Sequence, residues 1–213
     1  MGEEFVESGS TVFIVDGDSA GRQALDTQVA AMGLPTRTYR SAEAFLAAYD
    51  ASMPGCLLLE ARIPDMSGPE LLERLVRDGI RLPTILISAH GDVPMVVRAM
   101  KAGALNFLER PCRDYELWES LQEAIRSDRE FRCQAALSES VCRRVDLLTA
   151  GERDVMQMLV DGGSNKQIAQ DLGVSVRTIE VRRSKLMKKM QAESFAELVQ
   201  MALQIENSFG KPR

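Results

Sequence analysis

Four polar residues with chemical capacity stand at the ends of short apolar runs in the first half of this 213-residue chain. Asp16 follows TVFIV (11–15), Glu60 follows CLLL (56–59), Ser88 closes TILIS (84–88), and Arg110 comes just after ALNFL (104–108). Carboxylates hold hard cations or act as nucleophiles, while a hydroxyl and a guanidinium can steady a neighbouring anionic group. Asp16, Asp18 and Glu60 together could pass for a hydrolase cluster, but the chain offers no second complete catalytic set. A different chemistry appears near the other end. Residues 175–190 carry Arg177, Arg182, Arg183, Lys185, Lys188 and Lys189 against one acid, Glu180. Such a concentration suits a polyanion.

The elements that must position these groups follow from periodicity. The four apolar runs, and a weaker one at 36–39, read as five buried strands. Between them lie helical patterns: Leu25, Val29, Met32; a second around 41–48; Leu71, Leu72, Leu75, Val76; Val93, Val96, Val97, Met100; and Leu117, Leu121, Ile125. Each is expected to turn one apolar stripe toward a sheet. Strands alternating with helices in this way give an α/β doubly wound, five-stranded parallel sheet of the flavodoxin-like kind. Its functional crevice lies at the carboxyl ends of the strands, where Asp16, Glu60, Ser88 and Arg110 stand. The chain is thus divided into a domain at 9–127, a linker or helical continuation at 128–146 and an all-α, four-helix domain at 147–210. In the last of these, Thr149-x-x-Glu152, Ser164-x-x-Gln167 and Ser194-x-x-Glu197 have capping-box spacing, and Gly162-Gly163 and Gly173 stop helices. Helices are predicted at about 149–161, 165–172, 175–190 and 195–207. The tight turn Leu172–Ser175 makes the middle pair a helix-turn-helix.

Charge supports two different jobs. Residues 1–127 carry 12 Lys/Arg against 19 Asp/Glu, and residues 128–213 carry 14 against 12. Cys56, Cys112, Cys133 and Cys142 lack paired CxxC spacing and read as free thiols of a reducing cytoplasm. His90 is the only histidine, which argues against a multi-histidine metal site. No apolar run suits a membrane span, and the acidic N-terminus resembles neither a secretory signal nor a supported myristoylation site.

The segments IPDMSG (63–68), SAHGDVPMVVRAMKAGA (88–104) and FLERP (107–111) resemble the receiver loops and helices of NarL/FixJ-type two-component response regulators. LTAGERDVMQMLVDGGSNKQIAQDLGVSVRTIEVRRSKLMKKM (148–190) resembles the LuxR-type DNA-binding domain of the same family. The resemblance implies a pocket with an acidic pair holding Mg²⁺, an acceptor aspartate, a Thr/Ser and a Lys-Pro. Here those positions read Asp16-Gly17, Glu60, Ser88 and Arg110, so only Asp16 and Ser88 fit. Gly17 removes a carboxylate, and Asp18 is aimed differently. The extra methylene of Glu60 carries its carboxylate roughly 1.3–1.5 Å farther into the pocket. An error near 1 Å can cost about 100-fold in an in-line attack. Arg110 replaces a compact ammonium with a planar fork suited to carboxylates. The simplest pocket from these parts is a Glu60–Arg110 ion pair; no cofactor is expected, Mg²⁺ included. Glu60 then has two readings, a phosphate mimic engaging Ser88 or a relic that satisfies Arg110. Phe107 matches the family's aromatic switch position and is equally a core aromatic.

The resemblance places the recognition helix at 175–190, and helix geometry orients it. At 100° per residue, Ile179, Leu186 and Met190 share one stripe, while Arg177, Val181, Ser184, Lys185 and Lys188 lie opposite. That face, together with Thr178 at the helix start, suits a major groove. Arg182 and Arg183 flank the buried stripe and fit phosphate contacts or internal ion pairs. Asn165 and Lys166 open the preceding helix, where a phosphate is favoured. Leu198, Met201, Ala202 and Ile205 on the last helix would either pair two domains or pack inward. The expected protein is therefore a non-enzymatic, cytoplasmic transcription regulator. Its expected partners are double-stranded DNA, a second copy of itself and RNA polymerase, with no membrane. The alternative is an interaction or ligand-sensing module that modulates another regulator.

Overall fold

The computed structural model describes residues 9–89 and 91–208, with side chains described through Gln204; His90, the N-terminal eight residues and the Ile205 side chain fall outside it. Thr11–Val15 (β1), Thr36–Tyr39 (β2), Gly55–Glu60 (β3), Thr84–Ser88 (β4) and Asn106–Glu109 (β5) form one sheet of order β2-β1-β3-β4-β5. Every pairing is parallel. The helices Ser19–Ala31 (α1), Ala42–Ala48 (α2), Gly68–Arg77 (α3) and Val93–Lys101 (α4) connect the strands, and Asp114–Asp146 (α5) follows the last.

Alternation along the strands loads both faces of the sheet. Val12, Ile14, Leu58, Ile85 and Ile87 pack with Leu25 and Val29 of α1 and Leu117 and Leu121 of α5. Phe13, Val15, Leu57 and Leu59 pack on the other side with Phe45 of α2 and Leu71 and Leu75 of α3. A Leu-to-Ala change at a site as enclosed as Leu57 would cost about 2–5 kcal/mol. Cys56 lies fully inside this sheet, and burial, reinforced by Asp128, pushes its thiol pKa up to about 12. It is a packing residue.

Two local expectations shift. The last strand occupies Asn106–Glu109, displaced toward the C-terminus from the 104–108 run, because Leu105 still spends its N–H on the Thr84 carbonyl in the approach to β5. Two of the three valines of α4 do not face the sheet: Val93 and Val97 are exposed, as are Met100 and, on α3, Val76, while Val96 is half-buried. In α4 it is Ala99 that lies against the sheet, since a small side chain lets the helix approach closely. The segment 128–146, expected as a linker or a helical continuation, continues α5 as helix.

The chain divides into two units between Phe131 and Arg132. The second contains the end of α5 and the helices Ala150–Val160 (α6), Asn165–Asp171 (α7), Val176–Met190 (α8) and Phe195–Ser208 (α9). Its core joins Val141 of α5 to Val155, Leu159, Ile168, Ile179, Leu186, Met190 and Leu198. Capping boxes close at Ser67, Thr149 and Ser164. At the third predicted box Ser194 accepts from Glu197 N–H, but the Glu197 carboxylate instead takes the N–H of Glu193. No described helix is long and apolar enough to cross a membrane.

Candidate functional site

Parallel register brings the strand-end residues of the first unit together. Val15 pairs with Leu59, Glu60 with Ile87, and Ser88 with Glu109, so Asp16, Glu60, Ser88 and Arg110 line one edge. Asp16 and Ser88 are buried at 1% and 3% exposure. The closest ion pair here is not the expected one. Arg110 Nη2 donates to Asp16 Oδ2 at 2.5 Å, whereas Glu60 Oε2 stands 3.5 Å from the same nitrogen. A carboxylate as enclosed as Asp16 competes better for the cation than Glu60, which keeps more contact with water. The Glu60 carboxyl is raised above its ordinary pKa, chiefly by burial. Arg110 pulls it down, Asp16 pushes it up, and the backbone N–H groups of Arg62 and Ala61 lower it slightly.

The neighbouring residues explain how the pocket closes. Asp18 is the N-cap of α1: its Oδ2 accepts from Gly21 N–H at 2.8 Å, so its carboxylate serves the helix. Its own N–H donates to Asp16 Oδ1 at 2.8 Å. Both oxygens of Asp16 are therefore engaged. Gly17 abuts the β3–α3 loop, where a Cβ would lie 2.5 Å from Pro64 Cδ and 2.8 Å from Cγ. Phe107 is partly buried against the cluster of Ala61, Leu72, Leu86 and Ala99. Its ring fills the space beside Gly91, where a Cβ would come within 2.8 Å of Cε1.

In the second unit, the turn after α7 passes through Gly173 at φ +64°, a left-handed conformation that glycine adopts without strain. Ser175 caps α8, accepting from Thr178 N–H at 3.1 Å, and the two hydroxyls share a further bond of 2.8 Å, which ties Thr178 to the helix start. Ile179, Leu186 and Met190 are fully buried, as the helical period predicts. Arg177, Val181, Ser184, Lys185 and Lys188 are exposed. A shallow cavity runs between this face and Thr149 and Glu152, lined by Arg177, Val181 and Lys185.

The remaining basic residues of α8 lie against their own unit. Arg182 lies over Gly151, where a Cβ would sit 3.0 Å from its guanidinium carbon. Arg183 donates to Asn165 Oδ1 at 3.4 Å and lies 5.7 Å from the Phe195 ring centroid. Asn165 thus braces α8, while Lys166 beside it is exposed. Lys189 reaches back to Leu147 O at 3.0 Å and Glu152 Oε2 at 2.6 Å. That bond, with a second from the Thr149 N–H, holds the Glu152 carboxyl down at about 2. Glu152 and Lys189 escaped the sequence reading as a pair. The capping-box spacing marked Glu152, but nothing local links it to a lysine 37 residues away. On α9, Leu198, Met201 and Ala202 pack inward with the core, the second of the two roles expected of them, and the Ile205 side chain lies outside the described residues. Their side of α9 meets α6, while Phe195 and Leu203 remain exposed.

Comparison with known proteins agrees with both halves. Residues 12–122 match the response regulator receiver domain, and residues 146–202 match the bacterial regulatory proteins of the luxR family. The transcriptional regulatory protein FixJ of Rhizobium meliloti is 42% identical over 195 residues, covering 91% of this chain and 95% of its own. The response regulator TodT of Pseudomonas putida F1 is 34% identical over 202 residues, covering 95% and 89%. Among solved structures, the response regulator StyR aligns with a TM-score of 0.82 at 36% identity, over 92% of this chain and all of that one. Full-length FixJ from B. japonicum aligns at 0.57 and 37%, over 94% and 98%.

Proposed function

The chain belongs to the FixJ-type transcriptional response regulators, a receiver joined to a LuxR-type DNA-binding domain, and we propose that it works without phosphorylation of its acceptor position. One observation carries this reading. The residue at that position is Glu60, and its carboxylate sits 3.5 Å from an arginine that is itself drawn to Asp16. A glutamate nucleophile is longer than the aspartate it replaces, and a misplaced nucleophile loses most of its rate. Reversion is also obstructed. A side chain at position 17 meets Pro64, so the missing carboxylate cannot return without moving the β3–α3 loop.

In this reading the protein resides in the cytoplasm and binds double-stranded DNA as a homodimer. Arg177, Val181, Ser184, Lys185 and Lys188 face the groove. The exposed apolar residues Val93, Val97 and Met100 of α4 offer a surface for a second copy, and RNA polymerase is a further partner.

The test is twofold. Incubation with a small-molecule phosphodonor and Mg²⁺, followed by mass spectrometry, is expected to give no acyl-phosphate on the receiver. Glu60→Asp alone is expected to leave that unchanged, because nucleophile, cation and metal ligands act as a unit. A mass increment of one phosphate mapping to Glu60 overturns the reading. In parallel, untreated full-length protein is expected to bind operator DNA as a dimer. If it stays monomeric and silent while a 147–213 fragment binds, the receiver is inhibitory and another signal must release it.

A further inference from the structure

Arg110 occupies the receiver pocket in an unusual way. Its guanidinium meets the carboxylates through a single nitrogen, Nη2, which stands 2.5 Å from Asp16 and 3.5 Å from Glu60. Its Nε is buried and has no hydrogen-bond partner. A guanidinium binding one carboxylate for geometry alone would use two parallel N–H groups. Here the fork is turned so that one nitrogen serves two acids from different strands, which is the task of a cation between carboxylates rather than of a side-chain pair.

Gly21 makes this placement sterically feasible. It lies in the first turn of α1, and a Cβ there would overlap Arg110 Nη1 while approaching Asp16 Oδ2 to 2.9 Å and Asp18 Oδ2 to 3.1 Å. The guanidinium therefore rests on bare helix backbone. A hard divalent cation needs several oxygen ligands. Gly17 contributes none, the Asp18 carboxylate caps α1, and Asp16 already gives Oδ1 to a backbone N–H and Oδ2 to Arg110. A dication in this place would also face a guanidinium held against its ligands. The residues present do not fit Mg²⁺.

We propose that Arg110 is a built-in counter-ion that neutralises Asp16 and Glu60 and excludes divalent cations from the receiver pocket, with Gly21 as the seat that admits it. The inference concerns the same pocket as the phosphorylation reading but does not rest on it. Metal exclusion can hold whether or not Glu60 is ever modified.

Thermal unfolding of the full-length chain tests it, with no phosphodonor and no DNA, so that the two ideas fail separately. Melting curves are recorded with EDTA and with 10 mM MgCl₂ or MnCl₂, ionic strength being held constant with NaCl. The natural chain is expected to shift by less than about 1 °C on adding either ion. Arg110→Gln, which removes the charge and keeps a polar side chain, is expected to melt lower in EDTA. It should recover about 3 °C or more with the divalent ion, since binding to the folded state alone raises stability. Gly21→Ala is expected to behave likewise, because its methyl displaces the guanidinium. A cavity of about 470 Å³ bounded by Ala20, Ala24 and Pro111 can receive the displaced group, which keeps that variant foldable. Arg110→Lys supplies a second foldable variant, its shorter ammonium leaving Asp16 less covered and the cation response intermediate. A natural chain stabilised as much as the variants overturns the proposal, as does Arg110→Gln folding without any cation response. A Gly21→Ala variant indistinguishable from the natural chain removes Gly21 from it.

Discussion

Glu60 in the receiver and Glu152 in the DNA-binding unit are both acids largely withdrawn from water, and each faces a cation. Their side chains are 13% and 5% exposed. Yet one carboxyl is raised above its ordinary pKa and the other is held down at about 2. The difference lies in desolvation, which dominates at Glu60, and in how the cation is shared. Lys189 sits 2.6 Å from Glu152 Oε2, and the same oxygen accepts the backbone N–H of Thr149 at 2.9 Å. Arg110 is divided between two acids, and Asp16 holds the nearer end. Desolvation is the leading influence on Glu60, whereas at Glu152 the Lys189 and Thr149 hydrogen bonds outweigh it, so burial and compensation together decide the sign. The DNA-binding unit uses its acid to lock α8 onto α6. The receiver carries its acid at a net cost.

The largest expected effect comes from removing the compensated acid. Glu152→Ala loses a charged hydrogen bond and half of a capping box, and leaves Lys189 without its carboxylate. A cost of about 2 kcal/mol is expected, near 10 °C in the midpoint of a unit this small. Amide hydrogen exchange across α6 and α8 in the full-length chain would register it. The pH dependence has a defined sign. A carboxyl held low contributes stability above its ordinary pKa, and that contribution is lost as pH falls from about 4.5 toward 2. If exchange rates in α6 and α8 are unchanged in the variant, Lys189 is merely a solvated lysine, and the contrast with Glu60 collapses.

The second test sharpens the same contrast within α8, between basic residues spent on the scaffold and those left for DNA. Val181→Ala and Lys185→Ala are expected to cost about 1–3 kcal/mol at particular base pairs. Lys166→Ala is expected to weaken all sequences alike, and to lower the slope of log affinity against log salt by about 1. A panel of single-base operator variants at several salt concentrations separates the two behaviours. The assignment fails if Lys166→Ala changes sequence preference while the other two weaken every site equally.

What could be read from the sequence divides along physical lines. Strand and helix order, the strand-end placement of Asp16, Glu60, Ser88 and Arg110, and the buried stripe of α8 all follow from local period. The period of α4 misled, because an amphipathic pattern with Val93 and Val97 does not reveal that Ala99 fits closer to the sheet. The partner of Arg110 was also hidden. Spacing brings Asp16 and Glu60 equally near, and only burial, a property of the folded whole, ranks them. Lys189 belongs to the same class: it looked like one more base on a basic helix until folding brought Glu152 beneath it.

The smallest expected effect is the most diagnostic, because its direction is opposite to that of Glu152→Ala. Glu60→Gln keeps the shape of the side chain and removes a charge that burial disfavours. Arg110 keeps Asp16 as its principal partner, so the guanidinium is not abandoned. A raised carboxyl contributes stability in its protonated form, below its ordinary pKa of about 4.5, and that contribution is lost as pH rises through the raised value. The natural chain and Glu60→Gln should therefore unfold alike in mild acid, where both side chains are neutral. The variant should be the more stable at pH 7, because it lacks the charge that burial disfavours. Denaturant melts of the receiver at pH 4, 5.5 and 7 measure it. A Glu60→Gln variant less stable than the natural chain at pH 7 would mean that the 3.5 Å contact with Arg110 outweighs desolvation. Glu60 would then be a fully compensated acid like Glu152.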